Sequence, residues 1–307
     1  MSNSSQKWFV AVMLAAAPLS RVNAESHCPG NVTSLPLRLV QGSQLIVPIT
    51  INHQGPYDFL VDTGAQVTTV DPKLATELQL ATKEKASVTG VAVHTRAPLT
   101  QLESVEAGSH AVANVLAVIQ KLGELQSADR RVRGVIGGNF LEHFDLLIDY
   151  SRPLLCLDDS RQMRTKVKGK RIALLDQPHF QGGAATAQKL ILAVHLSGLE
   201  KRQVLLQLDS GTNAPLLWDP GEDLRHLQTT GCNLQSRGTD GKEQPFTVLA
   251  AQDVQVASHI VRQVSFVAPV AGGATTARPD ADGLLPAALF QRVFVNYSDH
   301  YVVLEPW

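Results

Sequence analysis

An internal repeat constrains the fold of this chain more than any other feature of its sequence. Two segments, residues 45–65 and 190–212, share one pattern: an apolar run, a polar turn, and a second apolar run that ends in Asp-(Thr/Ser)-Gly. The turn is two residues longer in the second copy. Short apolar runs separated by polar turns are typical of β-strands. Each copy therefore predicts a strand, a turn and a second strand that ends at an aspartate.

The two copies stay similar further along the chain, and the matches keep the same order. They are Val70-Asp71-Pro72 with Trp218-Asp219-Pro220, Gly134-Val135-Ile136-Gly137 with Gly283-Leu284-Leu285-Pro286, and Asp149-Tyr150-Ser151 with Asn296-Tyr297-Ser298. Separate stretches that match in order favour duplication of one unit over coincidence. Long helical periodicity is scarce, whereas short apolar runs between glycine-containing turns are frequent. We therefore predict an all-β protein with two similar lobes, related by a pseudo-twofold axis, and few short helices.

The repeat also divides the chain, whose 307 residues are enough for two domains. We assign residues 36–158 to an N-terminal lobe and residues 186–307 to a C-terminal lobe. Residues 25–35 form an N-terminal segment, and residues 159–185 form a basic linker. A patch that binds polyanions or a membrane surface would also explain the charge of this linker, but we favour a solvated interdomain connection. Its basic residues are Arg161, Arg164, Lys166, Lys168, Lys170 and Arg171.

The first 24 residues have the pattern of a signal peptide. Lys7 precedes an apolar run over residues 8–19, and Val22-Asn23-Ala24 offers small residues where a signal peptidase would cut. The apolar run is shorter than the roughly 20 residues that cross a bilayer, although an uncleaved anchor is the alternative. We therefore expect an exported protein, periplasmic or secreted, with no stable membrane span after cleavage.

Charge and cysteine content narrow the choice of partners and cofactors. Removal of residues 1–24 takes away Lys7 and Arg21 and changes the formal net charge from −1 to −3, which gives no reason to expect a nucleic-acid partner. Cys28, Cys156 and Cys232 are an odd number, so at least one thiol stays outside any internal disulfide, and the pairing is open. Cys156 lies in an apolar run and is expected to be buried. No CxxC spacing supports a zinc or dithiol site.

The aspartates at the two strand ends, Asp62 and Asp209, are the candidate catalytic residues. A carboxylate at the end of a buried strand is costly unless it is paired or hydrogen-bonded. The glycine two residues later permits a tight turn in which backbone N–H groups approach the carboxylate. A single Asp-Thr-Gly is a common turn, but two copies in a repeat would be brought to one axis by twofold symmetry. Two adjacent carboxyl groups would share one proton and could activate a water molecule without a metal or another cofactor.

On these motifs the sequence resembles the pepsin/retropepsin superfamily of aspartic proteases, particularly its bacterial retropepsin-like branch, over most of both lobes. The resemblance implies two fused retropepsin-like β-barrel lobes, a monomer, and hydrolysis of a peptide or protein substrate in the cleft between them. It implies that each catalytic aspartate is supported by its own loop, here Thr63, Gly64, Ala65, Ser210, Gly211 and Thr212. It also implies a later strand that buttresses each loop from below, here Val135, Ile136, Gly137, Leu284 and Leu285.

Two features depart from the family pattern. Pro286 stands where the family usually has glycine, which puts the support of the second loop in question. The family covers its cleft with a flap hairpin, but no tyrosine near Gly90 matches the flap tyrosine of pepsin. The candidate flap residues, for which an ordinary surface turn is the alternative, are Thr89, Gly90, Val91, Gly238 and Thr239.

Other functions find less support in the sequence. It contains neither a G-x-S-x-G nucleophile elbow nor an H-E-x-x-H zinc motif, and its ten histidines are scattered. The stronger alternative is a catalytically inactive protein of protease fold that binds peptides or protein partners. Pro286 and the missing flap tyrosine favour that alternative. The presence of both aspartates favours an aspartic-type endopeptidase, which we take as the principal hypothesis.

Overall fold

The computed structural model describes residues 28–32, 34–89, 94–175, 187–199, 202–218, 227–237, 243–270 and 280–307. These residues form three β-sheets with a few short helices between the strands. The predicted fold class is confirmed: the protein is all-β, with two β-barrel lobes that are built alike.

The bounds of the elements are as follows. The first lobe contains strands β1 (Ser34–Leu35), β2 (Arg38–Val40), β3 (Gln44–Ile51), β4 (Gln54–Val61), β5 (Thr68–Val70), β6 (Thr82–Thr89), β7 (His94–Ala107), β8 (His110–Ile119), β9 (Val132–Ile136), β10 (Asp145–Asp149) and β11 (Leu154–Asp158), and helices α1 (Pro72–Glu77), α2 (Gly123–Ala128) and α3 (Gly138–Leu141). It is followed by helix α4 (Met163–Lys166) and strand β12 (Arg171–Ala173). The second lobe contains β13 (Ile191–Leu196), β14 (Gln203–Asp209), β15 (Leu216–Leu217), β16 (Thr229–Arg237), β17 (Glu243–Leu249), β18 (Gln252–Val256), β19 (His259–Val264), β20 (Val267–Pro269), β21 (Gly283–Pro286), β22 (Arg292–Asn296) and β23 (Tyr301–Glu305).

The two lobes share one strand order. In the first lobe the sheet runs β2-β3-β4-β9-β5-β8-β7-β6, and β3 also pairs with the far part of β7, which curls the sheet on itself. In the second lobe the order β13-β14-β21-β15-β20-β17-β16 repeats this arrangement, and β18 pairs with β13 as β7 pairs with β3. The long strand β7 thus corresponds to two shorter strands, β17 and β18. This shared order is the structural form of the sequence repeat.

A six-stranded sheet joins the lobes in the order β1-β11-β10-β22-β23-β12. At its centre β10 of the first lobe pairs antiparallel with β22 of the second, so that Asp145 lies opposite Asn296 and Asp149 lies opposite Arg292. Because Asp149 and Asn296 are equivalent in the repeat, this register is the one that a local twofold axis requires. Strands β10 and β11 are buried along their whole length, as expected for apolar runs covered on both faces.

Two segments predicted to lie outside the lobes contribute the edges of this interlobe sheet. Strand β1, from the predicted N-terminal segment, pairs with β11, and β12, from the predicted basic linker, pairs with β23. Arg164 of the linker forms hydrogen bonds at 2.9 Å with both carboxylate oxygens of Asp145 and also reaches Asp299. Arg171 stacks over the ring of Tyr301 at 4.6 Å. Part of the linker is therefore held against the lobes, whereas residues 176–185 of it lie outside the described residues.

A disulfide links Cys28 to Cys156, with 5.9 Å between the Cα atoms. It fastens the chain ahead of β1 to the buried strand β11, and both cysteines lie in a small apolar cluster beneath the interlobe sheet. Cys156 is fully buried, as the sequence predicts, while Cys232 is exposed and outside the disulfide. The predicted signal peptide, residues 1–24, lies outside the described residues. Among the helices that are described, none has the length and apolar character needed to cross a membrane.

Candidate active site

Each of the two aspartates stands at the end of a buried strand that has a parallel neighbour. In the first lobe β4 pairs with β9, and the Asp62 N–H donates to the carbonyl oxygen of Ile136 at 3.0 Å. In the second lobe β14 pairs with β21, which brings Asp209 opposite Pro286. The chain then turns in two loops, here named the first aspartate loop (Asp62–Ala65) and the second aspartate loop (Asp209–Thr212).

Backbone N–H groups orient both carboxyl groups in the same way. The Oδ1 atom of Asp62 accepts hydrogen bonds from the N–H groups of Gly64 at 2.8 Å and Ala65 at 3.0 Å. The Oδ1 atom of Asp209 accepts from the N–H groups of Gly211 at 2.7 Å and Thr212 at 3.1 Å. In each loop one oxygen is thus held by the main chain, and the second oxygen is left to other partners. The predicted tight turn with approaching N–H groups is what each loop forms.

The structure brings the two carboxyl groups together. The side chain of Asp62 lies against Gly211, and the side chain of Asp209 lies against Gly64, so closely that a methyl group on either glycine would overlap with the opposite carboxyl group. Burial and the adjacent Asp62 charge hold the pKa of Asp209 well above its ordinary value, against the opposing hydrogen bonds from Gly211 and Thr212. Two acids that are 147 positions apart in the sequence are therefore one interacting pair.

The two members of the pair differ in exposure to solvent. Asp209 is 6% exposed, whereas Asp62 is only partly buried. Because burial disfavours the charged form, the shared proton is expected on Asp209 and the negative charge on Asp62. The arrangement can therefore supply one acid and one base side by side.

Four hydrogen bonds link the two aspartate loops. They involve Thr63, Ser210 and the carbonyl groups of the strand residues that precede each aspartate. The Thr63 hydroxyl donates to the carbonyl oxygen of Leu208 and accepts from the N–H of Ser210, both at 3.0 Å. The Ser210 hydroxyl donates to the carbonyl oxygen of Val61 at 2.8 Å and accepts from the N–H of Thr63 at 3.1 Å. Both side chains are buried. The sequence predicts this use of the hydroxyl groups, since a Thr or Ser between the acid and the glycine can bond across a lobe interface.

The predicted buttress of the first lobe lies beside its aspartate loop. Val135 and Ile136 belong to β9, and the N–H of Gly137 donates to the Thr68 hydroxyl at 3.3 Å. The amide oxygen of Asn139 accepts from both the N–H and the hydroxyl of Thr68 at 2.9 Å, and its amide nitrogen donates to the Leu116 carbonyl oxygen. Asn139 therefore joins three parts of the first lobe beneath the loop, a role that its sequence context does not reveal.

The buttress of the second lobe keeps the same position with different chemistry. Leu284 and Leu285 belong to β21, which pairs with β14 as β9 pairs with β4. Pro286 has no N–H to donate, and strand registers place Pro215, which has no hydroxyl, where the first lobe has Thr68. The glycine N–H and the threonine hydroxyl that bond to each other in the first lobe are thus both absent here. The second loop rests on an apolar support instead.

Two further residues reach the aspartate loops from distant parts of the chain. The Gln207 side chain donates to the carbonyl oxygen of Gly64 at 2.9 Å, and the Gln44 side chain donates to that of Gly211 at 2.9 Å. Donor and acceptor are 143 and 167 positions apart in the sequence. Sequence reasoning missed both glutamines because no local pattern marks a partner at that distance.

The candidate flaps are only partly within the described residues. Thr89 ends β6, opposite His94 of β7, and β16 pairs with β17 in the second lobe. Gly90, Val91, Gly238 and Thr239 lie outside the described residues, so the flap assignment stays a prediction.

Three buried aspartates away from the candidate catalytic pair, Asp71, Asp145 and Asp149, are each bound by an arginine. Asp71, which caps α1, is bound by Arg133, and Asp145 is bound by Arg164. Burial raises the pKa of Asp149, but hydrogen bonds from Ser151 and Arg152 outweigh it and leave that pKa below its ordinary value. Within the described part of the chain, no group of three His, Cys, Asp or Glu side chains is arranged to hold a metal ion.

Comparisons with known proteins find one family model that matches part of the first lobe. Residues 47–140 match the family model described as aspartyl protease, a stretch that runs from β3 to α3 and includes the first aspartate loop. A similar solved structure, a retropepsin-like aspartic protease from Rickettsia conorii, is 21% identical, with a TM-score of 0.30, and the match covers 41% of this chain and 93% of that one. No curated protein matches the chain. The first lobe is thus similar to the aspartyl protease family over the stretch that carries the first aspartate loop.

Proposed function

We propose that this protein is an aspartic endopeptidase that hydrolyses peptide bonds with a water molecule activated between Asp62 and Asp209. The observation that carries the proposal is the contact between two carboxyl groups from two separate loops, each oriented by backbone N–H groups. Such a pair has one proton between two acids, which is the state that acid–base hydrolysis needs.

The difference in burial assigns the two roles. Asp62, the more exposed acid, is the base that takes a proton from the water molecule. Asp209, the buried acid, carries the shared proton and donates a hydrogen bond to the carbonyl oxygen of the scissile peptide. Neither step needs a covalent intermediate with the protein.

The reaction balances with these two groups. The water oxygen bonds to the peptide carbon while its proton moves to Asp62 and the proton of Asp209 moves to the carbonyl oxygen, which gives a neutral tetrahedral diol. Asp62 then passes its proton to the peptide nitrogen, the C–N bond breaks, and one diol hydroxyl returns a proton to Asp209. The products are a carboxylic acid and an amine, and the pair returns to its starting state.

The substrate class and setting are part of the proposal. An extended peptide bound in the cleft between the lobes would meet both acids at once, and a single chain that holds both loops can act as a monomer. The disulfide between Cys28 and Cys156 supports an exported location, periplasmic or secreted, because disulfides persist in oxidising compartments.

The test is hydrolysis of denatured casein and of a peptide library from pH 3 to pH 8, with and without pepstatin. The Asp62→Asn and Asp209→Asn variants are each expected to lose at least about 100-fold in rate, because each removes one acid–base partner. Asp159→Asn, which changes an exposed carboxylate outside the pair, serves as the charge-matched control and keeps its activity. Unchanged hydrolysis in either dyad variant would contradict the proposal, and pepstatin binding without any hydrolysis would favour an inactive, peptide-binding protein.

A further inference from the structure

Each aspartate loop is held by a glutamine from the opposite lobe. Gln207, which is 1% exposed in β14 of the second lobe, donates to the Gly64 carbonyl oxygen in the first. Gln44, at the start of β3 in the first lobe, donates to the Gly211 carbonyl oxygen in the second. These two contacts are separate from the hydrogen bonds that Thr63 and Ser210 make between the two aspartate loops. They are therefore a second link across the lobe interface.

The acceptor carbonyl groups belong to peptide units that also bind the acids. The peptide that contains the Gly64 carbonyl carries the N–H of Ala65, which donates to Asp62 Oδ1 at 3.0 Å. The peptide that contains the Gly211 carbonyl carries the N–H of Thr212, which donates to Asp209 Oδ1 at 3.1 Å. A hydrogen bond to a peptide oxygen polarises that peptide and strengthens its N–H as a donor. Each glutamine is therefore connected to one acid through a single peptide unit.

The two glutamines are not equivalent in the repeat. The position that corresponds to Gln207 in the first lobe is Leu60, and the position that corresponds to Gln44 in the second lobe is Lys189, which is paired with Asp280. The same contact is thus made twice from unrelated positions. The duplication alone does not account for it, and each glutamine can be changed without a counterpart taking over.

We propose that Gln207 and Gln44 are positioning residues. Each one binds an aspartate loop to the opposite lobe and, through the polarised peptide unit, favours the ionised form of the aspartate in that loop. This path from glutamine through one peptide unit to one aspartate is named the peptide relay. Gln207 acts on Asp62 through the Gly64–Ala65 peptide, and Gln44 acts on Asp209 through the Gly211–Thr212 peptide. The effect of the peptide relay on the carboxyl pKa values does not depend on hydrolysis, whereas its effect on the rate of hydrolysis rests on the proposed function.

Two buried tyrosines of the described structure interact electrostatically with the pair. Tyr150 lies within electrostatic range of Asp209, and Tyr297 lies within electrostatic range of Glu142 and Asp62. Burial raises the pKa of both tyrosines, so both stay neutral over the pH range in which the acids titrate. The described donors that hold the two Oδ1 atoms are main-chain N–H groups, which is why polarisation of those peptides matters.

The test compares Gln207→Met and Gln44→Met with Gln252→Met. Methionine keeps the length of the side chain and removes the donor. Gln252 is a buried glutamine of the second lobe whose amide donates to the Ala250 carbonyl oxygen, so its variant controls for the loss of a buried amide elsewhere. Two quantities are measured: the carbon-13 carboxyl titrations of the labelled aspartates, and the pH profile of kcat/KM.

The two variants are expected to move opposite limbs of the profile. Gln207→Met moves the lower carboxyl midpoint and the acid limb up by about half a pH unit, because the base is harder to ionise. Gln44→Met moves the upper midpoint and the alkaline limb up by a similar amount, because the acid keeps its proton longer. Gln252→Met leaves both limbs in place.

The titrations separate this inference from the proposed function. If the wild type cleaves no peptide, the proposed function fails. The carboxyl titration midpoints still test whether the two glutamines influence the aspartates. Midpoints that stay within about 0.1 pH unit of the wild type in both glutamine variants would overturn the inference. Should Gln207→Met fail to fold, the inference is tested by Gln44→Met alone, at a more exposed residue, with the same limit on the shift of the carboxyl midpoint.

Discussion

The side chain of Asp62 lies so close to Gly211 of the opposite loop that this glycine has no room for a Cβ atom. Asp209 and Gly64 have the mirrored relationship. The glycine of each Asp-(Thr/Ser)-Gly motif therefore serves the other lobe: it leaves the space in which the opposite carboxyl group approaches its partner.

This relationship predicts that Gly211→Ala displaces Asp62 and lowers peptide hydrolysis by at least about tenfold, since misplacement of a reacting group by about 1 Å can cost 100-fold. Gly198→Ala is the matched control, because its methyl group would crowd Gln252 and Leu227, away from the pair. It is expected to lower thermal stability and keep its rate. A fully active Gly211→Ala variant would contradict the packing described here.

The Thr63 hydroxyl predicts a stability effect. Thr63→Val removes the group that satisfies the Leu208 carbonyl and the Ser210 N–H, both buried, and is expected to cost about 2–4 kcal/mol in the free energy of unfolding. Thr63→Ser keeps the hydroxyl and is expected to cost less than about 1.5 kcal/mol. Urea unfolding measures both values. Equal stability of the two variants would mean that the hydroxyl group does not link the loops.

Pro286 is expected to suit its site rather than to impair it. Pro286→Gly introduces a buried N–H whose counterpart in the first lobe bonds to the Thr68 hydroxyl, whereas the second lobe has Pro215 there. The single variant should lose about 1–3 kcal/mol of stability without a gain in hydrolysis. The double variant with Pro215→Thr supplies an acceptor and should recover part of the loss. A more stable, more active Pro286→Gly would show that proline is a defect.

The raised pKa of Asp209 predicts how stability depends on pH. A carboxyl group whose pKa is higher in the folded protein contributes stability that is complete below its unfolded value of about 3.9 and is lost as pH rises through the folded pKa. The asparagine side chain of the Asp209→Asn variant cannot lose a proton. The melting temperature of the variant minus that of the wild type should therefore increase by on the order of 2 °C or more from pH 4 to pH 8. Glu103→Gln, an exposed control, should run parallel to the wild type. A melting-temperature difference between Asp209→Asn and the wild type that stays constant with pH would contradict the raised pKa of Asp209.

Several parts of this structure could be predicted from the sequence because local pattern determines them. The motif at residues 62–64 requires a turn after a buried strand, and its second copy at residues 209–211 requires the same turn. Asp71-Pro72 predicts a helix start, and Asp71 accepts the N–H groups of Lys73 and Leu74 as the cap of α1. The match of Val70 with Trp218 is wrong by one residue: the strand registers make Leu217 the counterpart of Val70.

The parts that could not be predicted depend on contacts between distant segments. The central residues of β10 and β22 are all apolar, so their sequences do not say which strand each one pairs with. Three cysteines allow three pairings, and only the fold brings Cys28 next to Cys156. Asn139 and the two glutamines have ordinary sequence contexts, and their roles come from backbone groups that the fold places beside them.

The central claim is that Asp62 and Asp209 work as one unit that holds one proton. Hydrolysis rates of Asp62→Asn, Asp209→Asn and the double variant, measured at the pH optimum of the wild type, test it most directly. Groups that act as a unit are strongly non-additive, so we predict that the double variant is no more than about tenfold slower than either single variant. Losses that multiply, or a single variant that keeps wild-type activity, would contradict the claim.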